Sequence, residues 1–351
     1  MNLDGSSAQA WRKSLLIAMY RLMHNVEQDN FDVGRYGEAA RNAFYADHHA
    51  WYLDFVLANI DAFHAARQLL ADGVSQGLFD QLVLFRLLGH HHVRLTLKNQ
   101  RSDSALQVPA QWKIDETGDM GMFGPLSIYS VPHHGQEIWV KGWEGNVATT
   151  FLGSQYHFNR DGRSVDLHAG DHVIDGGACF GDTALAFAAA VGKDGFVYTF
   201  DPLPKHCQII NEVCAMNRSL APRIKLFAVG LSDRNYDPPA ASAAADGIDP
   251  GARLDDSLPT RTIDGLVQSG AIKRVDFIKM DIEGSELGAL RGAEQAIRKW
   301  TPRLAISLYH RPEDLFSIPL WLNELGCNYE FTLDHYSIHH EETVLYAHGV
   351  P

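Results

Sequence analysis

The chain has 351 residues, 46% of them hydrophobic and 21% charged, a composition that excludes disordered and fibrous classes and is long enough for more than one core. Thirty lysines and arginines face 43 acids, a formal net charge of -13, so no broad basic face is available for phosphates and neither nucleic acid nor an anionic membrane is expected as a partner. No apolar run approaches the ~18 residues of a membrane span, and the start Met1-Asn2-Leu3-Asp4 lacks a basic then apolar leader. The cysteines Cys179, Cys207, Cys214 and Cys327 form no C-x-x-C pair and are too sparse for a disulfide framework, which fits a reducing, cytoplasmic setting.

Trp11, Leu15, Met19, Leu22, Met23 and Val26 recur at three- and four-residue steps, the period of a helix with one buried face. A second such pattern covers His48 to Ala71. A third starts at Ser75, read as an N-cap, and ends at Gly89, read as a C-cap residue. These patterns predict a helical subdomain over residues 1–115, whose apolar faces suit either a homodimer contact or packing on the rest of the chain. Residues 116–164 read as a small β or linker segment, with Leu126–Val131 and Glu137–Lys141 as a hairpin turning at Pro132-His-His-Gly135.

From residue 165 to the end, short apolar runs alternate with helical stretches. The strands are expected at His172–Asp175, Phe196–Phe200, Ile224–Val229, Val275–Asp281 and Arg303–Leu308. Helices are expected at Thr183–Val191, Lys205–Asn217, Thr262–Ser269, Ser285–Lys299 and Pro319–Leu325. Such alternation implies a parallel sheet covered by helices on both faces. Tyr329–Tyr336 and Glu342–Ala347 follow with no helix between them, so the last strand should run antiparallel. Asn235 to Pro259, rich in Pro, Ala, Gly and Asp, reads as a long loop.

The sharpest local signal is Val173-Ile-Asp-Gly-Gly-Ala-Cys-Phe-Gly-Asp-Thr183, a strand ending in an acid and a glycine-dense turn that opens a helix. Glycines let a ligand approach the backbone, and a new helix offers free N–H groups. Twenty residues past Gly181, Asp201 follows a second strand, where a carboxylate accepts hydrogen bonds from a nucleoside's ribose. Cys179 stands where a pyrophosphate-binding G-x-G-x-x-G turn needs its middle glycine, which disfavours NAD and FAD. S-adenosylmethionine carries no phosphate, and its cationic groups suit a rim bearing Asp175, Asp182 and Asp201.

Residues from about 165 to 348 resemble an FkbM-type S-adenosylmethionine-dependent methyltransferase. Asp175 to Thr183 resembles the family's cofactor loop, and Phe200-Asp-Pro202 its F-E-P, with Asp in place of Glu. Thr262-Ile-Asp264 resembles its T-L-D, and Asp276-Phe-Ile-Lys-Met-Asp-Ile-Glu-Gly-Ser-Glu286 its D-x-x-K-x-D-x-E-G-x-E signature. Asp80 to Leu95 and Gln155-Tyr156 are similar to an extension found in some members. The resemblance implies a Rossmann-like class I sheet, mostly parallel, with seven strands and the last one antiparallel, in a methyltransferase domain over 165–351. It places Asp175, Gly177, Cys179, Gly181, Asp182 and Thr183 at the methionine end of S-adenosyl-L-methionine and Asp201 on the ribose. Tyr156 would close over the cofactor.

In a doubly wound sheet the substrate meets the cofactor outside the carboxyl ends of the strands, a criterion that selects Asp281 and His310. A hydroxyl acceptor wants a base near neutrality, which makes His310 the first choice. Asp281 is a candidate to orient it, to act as base or to bind the acceptor; it also binds the cofactor by resemblance, while its plainer reading is a helix cap. Lys279 interrupts a strand buried on both faces and should pair with an acid such as Glu286, a catalytic role being the alternative. His335 is a further catalytic candidate, delivered by the strand before the final turn. Asp281, Glu283, Glu286, His310 and His335 could ligate a divalent metal, although their spacing matches no compact signature. His90-His91-His92 and His339-His340 read as solvated. The reading is O-methylation of a small hydroxylated acceptor, such as a sugar or natural-product intermediate. A cofactor-binding scaffold without turnover and an NAD(P)-dependent oxidoreductase are the alternatives.

Overall fold

The computed structural model describes residues 3–24, 46–95, 107–121, 124–238 and 258–350. Val26, and most of the loop expected between Asn235 and Pro259, lie outside them. In chain order the helices α1 (Ala8–Met23), α2 (Ala46–Ala58), α3 (Ile60–Leu69) and α4 (Gly73–Leu88) come first. The strands β1 (Lys113–Gly121), β2 (Gly124–His133) and β3 (Gln136–Gly142) follow, then the short pair β4 (Phe158–Arg160) and β5 (Arg163–Val165). Next come β6 (His172–Gly176), α5 (Asp182–Ala190), β7 (Phe196–Phe200), α6 (Pro204–Met216), β8 (Ile224–Phe227), β9 (Gly230–Leu231) and β10 (Thr260–Arg261). The chain continues with α7 (Ile263–Gln268), β11 (Phe277–Met280), α8 (Glu286–Arg291), α9 (Glu294–Trp300) and β12 (Arg303–Ser307). It ends with α10 (Asp314–Glu324), β13 (Tyr329–His335) and β14 (Thr343–Gly349).

The seven-stranded sheet has the order β13-β14-β12-β11-β6-β7-β8. β12, β11, β6, β7 and β8 pair in parallel, and β13 pairs with β14 antiparallel. This is the expected Rossmann-like class I methyltransferase architecture. β11 is buried at all four positions, as a strand covered on both faces must be.

Chain density separates two compact units, Val108–Ile306 and a unit that joins Met1–Gln107 to Ser307–Pro351. The physical reason is the packing of the N-terminal helices on the C-terminal elements of the same unit. Phe63 on α3 meets Phe316 on α10 edge-on with ring centroids 4.9 Å apart. Ala71 N–H donates to the Phe331 carbonyl at 2.9 Å, and Leu333 N–H to the Ser75 hydroxyl at 2.9 Å.

Local chemistry sets the helix ends. α4 is capped by Asp72, whose carboxylate accepts from Ser75 N–H at 2.7 Å, so the cap lies three residues before the expected Ser75. Gly89 closes that helix at φ 79°, as expected. The pattern from His48 to Ala71 divides at Asn59 into α2 and α3, and that from Ser285 to Lys299 divides into α8 and α9. At the second break, a Cβ on Gly292 would lie 2.1 Å from the Ser232 carbonyl oxygen. The expected hairpin is present as β2 and β3, joined by a third strand, β1. α1 leaves Leu16, Ile17, Tyr20 and Met23 exposed. No helix among the described residues is long and apolar enough to cross a membrane.

The helices are locked by one buried carboxylate. Asp80, with no exposed surface, accepts from Trp11 Nε1 at 2.8 Å and from Arg67 Nε at 2.7 Å and Nη2 at 3.0 Å. It thereby joins α1, α3 and α4. Removing one member of such a pair strands a buried charge, at a cost of about 3–5 kcal/mol. Asp80→Ala is therefore expected to lose that amount in urea unfolding, whereas Asp80→Leu combined with Arg67→Met should recover much of it.

Candidate functional site

The candidate site is built where β6, β7 and β11 end within the unit Val108–Ile306. β6 ends in Asp175-Gly176, and the chain turns through Gly177, Ala178, Cys179 and Phe180 into α5. Gly177 and Ala178 N–H groups donate to the Phe200 carbonyl at 3.0 and 3.1 Å, which ties the turn to the end of β7. Gly177, at φ 77°, tolerates no side chain: a Cβ would sit 1.8 Å from the Asp281 carbonyl oxygen. Cys179 adopts φ 48°, the left-handed region that L side chains rarely take. Burial, with Asp182, Asp201 and Asp281 close by, pushes its thiol well above the usual range.

Asp175 is fully buried and accepts from Thr183 Oγ1 at 3.0 Å and Thr199 Oγ1 at 2.9 Å. Its other neighbour is Lys279, whose Nζ lies 3.3 Å from Asp175 Oδ1 and donates to the carbonyls of Gly176 at 2.9 Å and Gly177 at 2.6 Å. The partner of Lys279 is thus Asp175 and not the expected Glu286. Parallel register explains it, because Lys279 on β11 stands beside Asp175 on β6. Glu286 instead accepts from Ile282 N–H at 2.8 Å, turning the chain into α8. Burial alone would pull the Lys279 ammonium down, but Asp175, Asp281 and Asp182 hold it above its ordinary value.

Asp281 directly follows β11. Its Oδ2 accepts from the Tyr156 hydroxyl at 2.8 Å, and the Tyr156 ring lies 5.1 Å from Lys279 Nζ. Tyr156 is itself buried, so the structure gives it a positioning contact on Asp281. Asp182 opens α5, is buried and accepts from Thr150 Oγ1 at 2.6 Å. Burial raises its carboxyl to about 6 against the pull of Thr150 and Lys279.

Asp201 sits just past β7 with both oxygens engaged. Oδ2 lies 3.0 Å from Cys179 N and 3.0 Å from His206 Nδ1, while Oδ1 accepts from Leu203 N–H at 3.0 Å. A carboxylate has about four lone-pair directions, so capacity remains for one more donor. His206 escaped the sequence reading; its only signal is its place in the first turn of α6, five residues beyond the acid. Phe180 reaches over this corner, its ring 5.3 Å from His206 and 4.9 Å from Trp143.

The remaining candidates belong to the other unit. His310 follows β12 by three residues and is half-buried. His335 ends β13 with no exposed surface, its Nδ1 2.9 Å from Thr343 Oγ1, and burial drives it down to about 3, so it is neutral at ordinary pH. His90, read from sequence as solvated, is also buried.

Residues 175–331 match the Methyltransferase FkbM domain. Among solved structures, methyltransferase FkbM from Methylobacillus flagellatus KT is 21% identical, with a TM-score of 0.55, over 86% of this chain and 62% of that one. The chain thus spans under two thirds of that protein, and a likeness at this identity establishes the fold. An rRNA methylase from Streptococcus thermophilus is 12% identical with a TM-score of 0.35, over 53% of this chain and 90% of that one. Fibrillarin from Aeropyrum pernix, in complex with natively bound S-adenosyl-L-methionine, is 11% identical with a TM-score of 0.34, over 67% and 98%. None of the curated proteins compared with the chain matches it.

A carboxyl raised from an ordinary 3.8 to about 6 binds its proton more tightly in the folded than in the unfolded chain. Stability should therefore fall as pH rises from about 4 to about 6 and level off above. Asp182→Asn is expected to remove that decline, and urea midpoints at pH 4.5 and 7.5 for both proteins check it.

Proposed function

Because residues 175–331 match the Methyltransferase FkbM domain, we propose that the chain transfers a methyl group from S-adenosylmethionine to a hydroxyl of a small acceptor, such as a sugar or natural-product intermediate. The observation that carries the reading is the convergence of the Asp175–Thr183 turn, Asp201 and Asp281 at the carboxyl ends of the adjacent parallel strands β6, β7 and β11. The turn fits this cofactor on its own terms. Gly177 lets the turn pack directly against the Asp281 carbonyl, which brings the two strand ends together, and Asp182 offers a buried carboxyl to a cation. Asp201 keeps one acceptor direction for a ribose hydroxyl, with His206 fixing the carboxylate.

When bound, S-adenosylmethionine supplies an electrophilic methyl on a sulfonium. The protein's part is to align an acceptor oxygen with that methyl and to take its proton as the oxygen–carbon bond forms and the carbon–sulfur bond breaks. Lys279 fixes the Gly176 and Gly177 carbonyls, so the turn cannot drift from β11. Tyr156 holds the Asp281 carboxylate in one orientation, ready to receive or direct an acceptor hydroxyl. His310, past the end of β12, or Asp281 itself is the base; an imidazole has the better-matched proton affinity.

Calorimetric titration with S-adenosylhomocysteine, with NAD in parallel, tests the cofactor. Tight binding of the former alone is expected; binding of NAD alone, or of neither, would overturn the reading. Asp201→Ala should weaken S-adenosylhomocysteine about 10- to 100-fold, as the loss of a charge-assisted hydrogen bond does. His310→Ala should leave that affinity within about twofold and lower turnover on a hydroxylated acceptor by about 100- to 10,000-fold, the usual worth of a general base. Normal turnover in His310→Ala with loss in Asp281→Asn would assign the base to Asp281.

A further inference from the structure

We infer that the turn between β13 and β14 is a binding site for one borderline first-row divalent ion such as Zn2+ or Co2+, held by His339, His340 and Glu341. One donor atom from each of these three residues lies within 4.8 Å of the others. His339 Nδ1 is 3.1 Å from His340 Nδ1 and 3.1 Å from Glu341 Oε2, and His340 Nε2 is 3.4 Å from Glu341 Oε1. Ligands bound to one ion at about 2.1 Å stand about 3.0 Å apart at right angles and about 3.4 Å apart in a tetrahedron. One ring nitrogen of each histidine and one carboxylate oxygen lie within 4.8 Å of one another, so small side-chain rotations bring them to that spacing.

His339 Nδ1 faces two neighbours at equal distance but carries either one proton or one lone pair. If it donates to Glu341, it has no lone pair left to accept from His340. If it accepts from His340, its lone pair also faces a carboxylate. A cation among the three groups takes one donor atom from each and balances the Glu341 charge.

The turn is also built rather than loose. The Ser337 hydroxyl lies 2.7 Å from the Glu341 carbonyl oxygen, 3.1 Å from that of His339 and 3.2 Å from His339 N. Phe85 of α4 meets the His339 ring edge-on at 5.4 Å, which limits its rotation. The His339 and Glu341 side chains are 12% and 20% exposed, whereas His340 is 39% exposed and leaves a route for the ion. Two imidazoles and one carboxylate favour zinc, cobalt, nickel or ferrous iron over magnesium or calcium and leave coordination positions open to water or an oxygen ligand. The sequence alone assigns His339 and His340 to solvent, because adjacent histidines show no ligand spacing until the turn folds.

The test uses the full chain, stripped with a chelator and titrated with Co2+ followed by visible absorption and with Zn2+ followed by calorimetry. One ion per chain is expected, with nitrogen-ligand absorption and no competition from excess Mg2+. His339→Ala and the isosteric Glu341→Gln should each weaken binding by about tenfold or more. His64→Gln, far along the sequence, should leave it unchanged. Circular dichroism of each variant shows whether the fold is kept. Absence of binding to the wild-type chain, or undiminished binding in a folded His339→Ala, Glu341→Gln double variant, would overturn the inference.

Discussion

The site depends on a single buried cation, Lys279. A lysine in a strand buried at every position costs several kcal/mol unless its charge is matched, and here the match comes from Asp175 on the neighbouring strand. The pair does more than neutralise itself. The ammonium donates to two carbonyls of the glycine turn, and the carboxylate accepts from the first helical turn of α5 and from β7. Three strands, one turn and one helix are thereby referenced to one charge pair. The Tyr156 ring lies beside the same ammonium and its hydroxyl orders Asp281, so both carboxylate ends of the cleft trace back to Lys279.

That dependence shows why the broad plan was legible in the sequence while the wiring was not. Alternating apolar runs and helical periods disclose the parallel sheet because burial on both faces leaves a pattern along one chain. The glycine turn and Asp201 were legible for a similar reason, since strand, turn, helix and a second strand are consecutive. Register between strands leaves no such trace. Asp175 and Lys279 are 104 residues apart and adjacent only because β6 and β11 pair as they do, so Glu286, near in sequence, looked the better partner. β1 was missed because Lys113-Ile-Asp-Glu-Thr-Gly-Asp-Met-Gly121 has no alternation of apolar and polar residues; it is held instead by pairing to β2 and by Asp119 with Lys141 at 2.5 Å.

The N-terminal helices offer the same lesson in another form. Their apolar periods were plain, but their lock is polar: Asp80, Arg67 and Trp11 come from three helices and bond to one another away from water. Apolar surface supplies the drive to bury these helices, and the carboxylate selects one arrangement, because any slip would leave charge and indole N–H unpaired.

The electrostatics of the turn also bear on which cofactor it suits. Asp182, Asp201 and Asp281 all act on the Cys179 thiol, and Lys279 is the cation acting against them. Asp175 is consumed by Lys279, and Asp281 is ordered by a neutral tyrosine hydroxyl. The site therefore carries more negative than positive charge, and part of that excess is relieved by raising the Asp182 carboxyl. A pyrophosphate brought to such a rim would add like charge at a turn whose middle position bears a side chain, Cys179, in a left-handed conformation. A cationic group would do the opposite and offset the negative charge that the protein alone leaves unbalanced. The excess of carboxylates thus works as selection by charge, favouring a cationic ligand over an anionic one.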